Sequence, residues 1–124
     1  MKDKNPKSIL MVEDDYLISM GLTAELKASG YSVCGRVATG EAAVEAVAKE
    51  KPDVILMDIR LAGKIDGIEA AEKIREFSDA SLLFLTGYQD SATETRARRL
   101  KPLAYLIKPV NMNTLRNILD SNLL

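Results

Sequence analysis

Short, strongly apolar runs alternate with segments of helical spacing along the whole chain. The runs have the length of β-strands and lie at 8–12, 31–37, 53–57, 81–85 and 103–107. Most are too continuously apolar to expose one face to water, which is typical of strands that are covered on both sides. Strands that alternate with helices are joined by right-handed crossovers into a parallel sheet. The alternation therefore predicts a doubly wound α/β sandwich.

Apolar residues at helical spacing predict a helix after each strand. The first covers 15–29, with Ile18, Leu22 and Leu26 on one face, and the second covers 40–50. Both are followed by residues that end helices, a glycine after the first and a lysine–proline pair after the second.

Capping residues mark the next two helices. Asp66 and Glu69 resemble a capping pair for a third helix at about 67–77, whose apolar face ends with Phe77. Ser91 and Glu94 predict a capping box for a fourth helix, "SATETRARRL". This segment has little apolar face, so the fourth helix should be weakly held. A fifth helix, with apolar positions from Met112 onward, follows the last strand.

Composition limits the domain organisation and the partners. With 124 residues, 47% of them hydrophobic, the chain suits one globular domain, expected at 8–124 after a flexible N-terminal extension at 1–7. A net charge of −1 gives no sign of direct binding to nucleic acid or to an anionic membrane. A single cysteine, the lack of a signal-peptide core and the lack of a long apolar run predict a cytoplasmic protein without a membrane span.

Polar side chains stand where the predicted strands end. They are Glu13 and Asp14 after the first strand, Asp58 after the third, Thr86 after the fourth and Lys108 after the fifth. In doubly wound sheets, ligands bind outside the carboxyl ends of the strands, where the winding reverses. We therefore expect these side chains to converge on one pocket, with Asp15 at the start of the first helix.

Carboxylates gathered in this way need a counter-charge. Two of them about 4 Å apart repel by about 4 kcal/mol at an effective dielectric constant of about 20. A hard divalent cation offsets such repulsion, and Mg²⁺, or Mn²⁺ in its place, binds carboxylates while leaving room for phosphate oxygens. Lys108 adds a positive charge, and the Thr86 hydroxyl can donate to an anion. Held by a buried strand beside these groups, Asp58 is placed to act as a nucleophile on a phosphoryl group.

Each of these residues also has a plain structural interpretation. Asp58 by itself is a common turn or cap residue, and the acidic pair at 13–14 suits a helix N-terminus. Thr86 before a glycine can begin a turn, Lys108 can be a solvated strand end, and Tyr105 can be a half-buried strand aromatic. Their joint placement at one edge of the sheet favours the functional interpretation, since independent turns need not produce it.

With these residues the chain resembles the receiver domain of two-component response regulators, the chemotaxis-receiver type of fold, from about Ser8 to Leu123. The resemblance implies a flavodoxin-like three-layer sandwich whose five parallel strands, in the order 2-1-3-4-5, are flanked by five helices. It implies that Asp58 accepts a phosphoryl group from a histidine kinase or a phosphotransfer protein. Glu13, Asp14 and Asp58, with the main-chain carbonyl of Arg60, would bind Mg²⁺.

The same resemblance assigns roles to the remaining site residues. Thr86 and Lys108 assist phosphoryl transfer, and the Lys108–Pro109 bond is cis in most members. Tyr105 turns inward when the Thr86 hydroxyl moves to the phosphoryl group, which changes the surface of helix four, strand five and helix five. That surface would serve a downstream protein, a fused effector or a homodimer. Arg60 and Tyr88 occupy positions that tune the phosphoryl lifetime. Such a domain is a signalling phosphoacceptor rather than an enzyme, although it assists its own phosphorylation and dephosphorylation.

The loop after Asp58 departs from the family pattern. Many receivers have a proline four residues after the acceptor and a glycine eight residues after it. Here Ala62 replaces the proline and Gly67 lies nine residues on, so the loop "RLAGKIDG" is one residue longer. Glu13 also stands where aspartate is common. These changes affect loop shape and ligand geometry rather than the types of residue present.

Three other functions compete with this interpretation. A magnesium-dependent phosphatase of the haloacid-dehalogenase type would carry a second aspartate two residues after Asp58, where Arg60 stands. A flavodoxin-like cofactor binder would need a phosphate loop after the first strand, where acids stand instead. A degenerate receiver would serve only as a non-phosphorylated docking module. The last of these shares the fold and is separated from a phosphoacceptor only by a labelling experiment.

The sequence leaves more than one interpretation of what lies downstream of the domain. The chain fits a stand-alone receiver or a piece of a larger regulator or hybrid kinase. Basic residues cluster on the fourth helix and just after it, at Arg96, Arg98, Arg99 and Lys101. This cluster is either a solvated face or a surface that pairs with an acidic partner or a second copy.

Overall fold

Five parallel strands form one sheet with helices on both faces. The computed structural model describes residues 7–87 and 90–123, the side chain of residue 123 excepted, so most of the predicted extension at 1–7 lies outside the described residues. The strands are β1 (Ser8–Val12), β2 (Ser32–Val37), β3 (Val54–Asp58), β4 (Ser81–Thr86) and β5 (Ala104–Ile107). They pair in the order β2-β1-β3-β4-β5. The predicted doubly wound sandwich and its strand order are confirmed.

Helices follow each strand, as the spacing of apolar residues predicts. They are α1 (Tyr16–Ala28), α2 (Gly40–Glu50), α3 (Gly67–Arg75), α4 (Ser91–Arg98) and α5 (Met112–Leu123). The core is divided by the sheet. Residues of α2, α3 and α4 pack on one face with Leu10, Ile55 and Phe84. Residues of α1 and α5 pack on the other with Met11, Leu56 and Leu83.

The central strands are buried on both faces, and the edge strands are not. All five residues of β3 are buried, whereas residues of β2 and β5 are mostly half-buried. Central strands have helices above and below them, while each edge strand has one open side. The prediction of mostly buried strands therefore holds for β1, β3 and β4 and is too strong for the two edges.

Three local predictions about helices are wrong. In α1 the buried residues are Ser19, Leu22, Thr23 and Leu26, and Ile18 is 40% exposed, so the buried stripe is rotated by one residue. Helix α3 ends at Arg75, and Phe77 beyond it is 50% exposed. The N-cap of α4 is Asp90 rather than Ser91, because the Asp90 carboxylate accepts hydrogen bonds from Ala92 N and Thr93 Oγ1.

Other helix ends agree with the sequence. Asp15 caps α1 by accepting from Ile18 N at 3.1 Å. Asp66 caps α3 in a capping box: its carboxylate accepts from Glu69 N, and Glu69 accepts from Asp66 N. The sparse apolar face of α4 is also confirmed, since Ala97 is its one buried residue.

The hydroxyl of Thr23 is buried in α1 without a hydrogen-bond partner among the described residues. Valine has nearly the same shape and no polar atom, so Thr23→Val should raise the free energy of unfolding by about 1 kcal/mol. The measurement is the midpoint of urea unfolding at unchanged slope. Thr95→Val is the control, because the exposed Thr95 hydroxyl donates to Ser91 O at 2.8 Å. Removal of this satisfied hydroxyl should not raise the free energy of unfolding. A Thr23→Val protein no more stable than the parent would contradict the expectation.

Candidate phosphoacceptor and metal site

The acids predicted to converge do so at the carboxyl edge of the sheet. Val12 pairs with Met57 in neighbouring parallel strands, so Glu13 and Asp58, the next residue of each chain segment, come out side by side. Glu13, Asp14 and Asp58 each offer one carboxylate oxygen, and these three oxygens lie within 4.8 Å of one another. Glu13 is 3% exposed and Asp58 is 4% exposed, while Asp14 faces solvent. The cluster is therefore closed at its base and open at Asp14.

Lys108 bridges the two buried acids. Its Nζ donates to Glu13 Oε1 at 2.6 Å and to Asp58 Oδ2 at 3.0 Å. Burial by itself lowers the pKa of Lys108, but the hydrogen bonds and the attraction of both carboxylates outweigh it and raise the pKa above its ordinary value. Lys108 is thus a firmly charged ammonium that offsets part of the repulsion between the acids.

The two carboxylates are engaged to different extents. Glu13 Oε1 accepts from Lys108, and Glu13 Oε2 accepts from Asp15 N at 3.0 Å, so both oxygens are engaged. Asp58 uses Oδ2 for Lys108, and its Oδ1 makes no hydrogen bond with residues 7–87 or 90–123. Asp58 therefore keeps one carboxylate oxygen for another ligand.

Asp14 completes the acidic group on its open side. Desolvation, followed by the adjoining Glu13 carboxylate, raises the pKa of Asp14 above its ordinary value, while Lys108 acts in the opposite direction. The single ammonium of Lys108 thus leaves the Asp14–Glu13 repulsion only partly compensated. Closely set carboxylate oxygens of this kind are the ligands that Mg²⁺ binds in proteins, so the residues fit that ion.

Thr86 and Lys108 are placed by one backbone contact. Thr86 is the last residue of β4 and is 1% exposed. Its carbonyl accepts a hydrogen bond from Lys108 N at 2.7 Å, which ties the end of β4 to the residue after β5. Asp58 pairs with Leu85, so Thr86 follows directly the residue opposite Asp58. The Lys108–Pro109 peptide bond is cis, as the resemblance predicts.

Gly67 lies against the backbone of Asp58. A Cβ added at Gly67 would lie 2.1 Å from Asp58 O and 2.9 Å from the Ile59 Cα. Gly67 N donates to Ile59 O at 2.8 Å, so the start of α3 lies directly against the end of β3. The sequence shows this glycine but not the close approach, which arises from the return of the loop onto the strand.

The longer loop after Asp58 is fastened to the start of α2. Ala62 forms a single bridge with Thr39, and Glu41 Oε2 accepts from Lys64 N at 2.9 Å. That hydrogen bond is the main reason why the pKa of Glu41 lies below its ordinary value. The role of Glu41 has no signal in the sequence, since an exposed acid in a first helical turn usually needs no partner in another loop.

The remaining predicted residues lie around this site. Arg60 is exposed in the loop after β3, and Tyr105 is half-buried in β5. Tyr105 pairs with Phe84 and packs against the core formed by α2, α3 and α4. Tyr88 lies outside the described residues.

The sequence matches the family described as "Response regulator receiver domain" over residues 9–120. The chain belongs to the response regulator receiver family. Receivers of this family are signalling domains of two-component systems. Among the residues that the structure describes, no helix has the length and hydropathy needed to cross a membrane.

Similar proteins support the family and the fold. The transcriptional regulatory protein PdtaR of Mycobacterium tuberculosis is 36% identical over 110 residues, which are 89% of this receiver and 53% of that protein. The receiver thus spans about half the length of such curated relatives.

Two solved structures illustrate the shared fold. The signal receiver domain of a modulated diguanylate cyclase from Desulfovibrio desulfuricans has a TM-score of 0.87 and 36% identity, with 94% of this chain and 92% of that chain covered. The BeF₃-activated receiver domain of RstA from Klebsiella pneumoniae has a TM-score of 0.83 and 27% identity, with 92% and 96% covered.

Proposed function

We propose that this receiver is a phosphoacceptor switch in which Asp58 takes a phosphoryl group from a histidine kinase or a phosphotransfer protein in the presence of Mg²⁺. One observation carries the proposal: three carboxylate oxygens lie within 4.8 Å of one another, and the Lys108 ammonium is bonded to two of these acids. An ordinary acidic residue on a protein surface needs no such cluster of carboxylates around a lysine. A site that must hold a cation and bring a carboxylate to a phosphoryl group does need it.

The metal-binding residues are Asp14 and Asp58, supported by Glu13 and by the main-chain carbonyl of Arg60. Glu13 has both oxygens hydrogen-bonded, so its main part is to orient Lys108 and the start of α1. The chemistry that a bound Mg²⁺ supplies is neutralisation of negative charge on the phosphoryl oxygens. Mn²⁺, another cation that accepts carboxylate ligands, fits the same residues.

The transfer itself depends on position and charge. An oxygen of Asp58 attacks the phosphorus of a phosphohistidine, a P–O bond forms as the P–N bond breaks, and the electron pair of that bond stays with the imidazole nitrogen. Lys108 places a positive charge beside the receiving oxygen, and the Thr86 hydroxyl donates to a phosphoryl oxygen. Burial of Asp58 keeps the acceptor in one orientation before the donor arrives.

Tyr105 transmits the proposed conformational change from the phosphoryl group to the protein surface. When the Thr86 hydroxyl turns to the phosphoryl group, Tyr105 moves inward, and the face made by α4, β5 and α5 changes. Helix α4 suits this role because only Ala97 anchors it in the core. The face then meets a downstream protein, a fused effector or a second copy.

Labelling by acetyl phosphate tests the proposal. The intact protein should gain the mass of one phosphoryl group with Mg²⁺ or Mn²⁺ and gain none with a chelator. A folded protein that stays unlabelled with Mg²⁺ would contradict the proposal and favour a docking module without phosphorylation.

The side chain of Arg60 should lengthen the phosphoryl lifetime, because its bulk two residues after Asp58 hinders the attacking water. We expect Arg60→Ala to lose label several-fold faster than the parent protein, and the Arg60→Ala, Tyr88→Ala double variant to lose it faster still. The measurement is decay of the label after the donor is removed. Lys64→Ala, which removes another exposed cation from the same loop, should decay like the parent. Equal decay in the double variant and the parent would count against this role.

A further inference from the structure

Helix α4 is held mainly by charged side chains. Ala97 is its one buried residue, and the helix is otherwise polar. A surface helix usually gains its stability from an apolar stripe packed on the core, and α4 has almost none. Its position must therefore depend on other contacts, and among the described residues two arginines of α4 make such contacts.

Arg98 connects α4 to the ring of Tyr105. Its Nε donates to Glu94 Oε2 at 2.7 Å within the helix, and its Cζ lies 5.7 Å from the centre of the Tyr105 ring. A guanidinium at that distance attracts the face of an aromatic ring. Tyr105 also packs against the core under α4, so among the described residues the ring contacts apolar side chains as well as the guanidinium.

Arg96 connects the same helix to the loop after Asp58. Its Nη1 lies 3.5 Å from Asp66 Oδ2, and Asp66 is the N-cap of α3. Both side chains are partly exposed and 3.5 Å apart, so this is a weak ion pair. It nevertheless places α4 in contact with the segment that begins at Asp58.

The hydroxyl of Tyr105 does not hold the ring in place. It is buried and has no hydrogen-bond partner among residues 7–87 and 90–123. Desolvation, followed by the nearby Glu94 and Asp90, raises the pKa of Tyr105, so the phenol is neutral at ordinary pH. A buried hydroxyl without a partner destabilises the position it occupies. The polar contact that favours this position is the cation–π contact with the Arg98 guanidinium.

We propose that Arg98 is a positioning residue of the switch, which holds the Tyr105 ring beneath α4 with its hydroxyl buried. Glu94 fixes the guanidinium, the guanidinium covers the ring, and Arg96 keeps the helix beside Asp66. Movement of Tyr105 then requires the Arg98 contact to be released. This inference rests on the proposed role of Tyr105 in the switch, although the contact itself can be tested without phosphate.

The test compares Arg98→Ala and Arg98→Lys with Arg99→Ala in metal-free, unphosphorylated protein. Arg99 is a matched control, because it is an exposed arginine at the end of α4 and its side chain forms no hydrogen bond or ion pair with the described residues. The first measurement is the NMR signal of the Tyr105 ring in protein with carbon-13-labelled tyrosine, assigned by its loss in Tyr105→Phe. The second is amide hydrogen exchange in α4.

Arg98→Ala should shift the Tyr105 ring signal and raise exchange in α4 about fivefold, the effect of losing a contact of this strength. Arg98→Lys should give a smaller change, since it keeps the charge without the planar group. Arg99→Ala should match the parent. If Arg98→Ala gives the ring signal and exchange rates of Arg99→Ala, the proposal is overturned.

A separate measurement distinguishes this inference from the proposed function. Acetyl phosphate labelling of the parent protein tests only the function. Absence of label together with a shifted ring signal in Arg98→Ala would reject the phosphoacceptor role and leave the Arg98 contact established. Normal labelling of the parent together with an unchanged ring signal in Arg98→Ala would support the phosphoacceptor role and reject the Arg98 contact.

Discussion

Asp58→Asn is expected to fold like the parent protein and to take no phosphoryl group from acetyl phosphate. An amide is not a nucleophile towards phosphorus, and it also removes one of the charges that the metal needs. The fold should persist because the amide oxygen can still accept from Lys108 Nζ, which lies 3.0 Å from Asp58 Oδ2 in the parent. Intact-protein mass after incubation with donor and Mg²⁺ gives the result, and circular dichroism confirms folding.

Asp79→Asn is the matched control for this experiment. Asp79 is exposed, lies just before β4 and is outside the acidic cluster, so the same change of charge should leave labelling unchanged. A labelled Asp58→Asn protein, with the phosphoryl group on any residue, would show that Asp58 is not the required acceptor.

Gly67→Ala is expected to lower the free energy of unfolding by about 3 kcal/mol, at the upper end of the usual cost of overpacking. The added Cβ would lie 2.1 Å from Asp58 O, and this neighbour is backbone, which cannot turn aside. The strand end or the start of α3 must shift, and either movement displaces the acceptor. Labelling should therefore fall together with stability, as measured by urea unfolding and by the rate of phosphoryl uptake.

A glycine-to-alanine substitution in α1 should raise the free energy of unfolding instead of lowering it. Gly21 lies in α1, and a Cβ added there meets nothing within 4 Å. Gly21→Ala should stabilise the protein by about 0.5–1 kcal/mol, since glycine is costly inside a helix. If Gly67→Ala unfolded at the same urea concentration as the parent, the close approach of α3 to Asp58 would be in doubt.

The sheet and its acidic edge are predictable because they depend on strong, local patterns. A run such as 53–57 is apolar throughout, and this requires a strand with helices on both sides. Parallel strands then bring their carboxyl ends to one edge, so Glu13, Asp58 and Lys108 can be placed together before any coordinates are known. Their contacts in the structure agree with that expectation.

Helix ends and helix rotation are less predictable, because several residues compete for each role. Asp90 and Ser91 are both good N-caps, and the aspartate is the one whose carboxylate meets Ala92 N. In α1, Ser19 and Thr23 lie on the buried stripe that hydrophobicity alone would give to Ile18. Small polar residues on a helix face have no signal in a pattern of apolar residues.

Contacts made by the loops and by the polar helix α4 could not be predicted from sequence at all. The Glu41 carboxylate accepts a hydrogen bond from the backbone of Lys64, and the Arg98 guanidinium lies over the Tyr105 ring. Each depends on how a loop or a polar helix settles on the finished fold, after the periodic elements have taken their places. The basic cluster on the fourth helix shows the consequence: Arg96 and Arg98 are engaged within the chain rather than uniformly solvated.

Anomalous scattering from Mn²⁺ in crystals grown with that ion tests the central claim most directly. The claim is that acids from the ends of β1 and β3 share one cation. We predict a single strong anomalous peak within coordination distance of both the Asp14 and the Asp58 carboxylates. A peak elsewhere on the protein, or a peak that contacts only one of these two acids, would contradict the account.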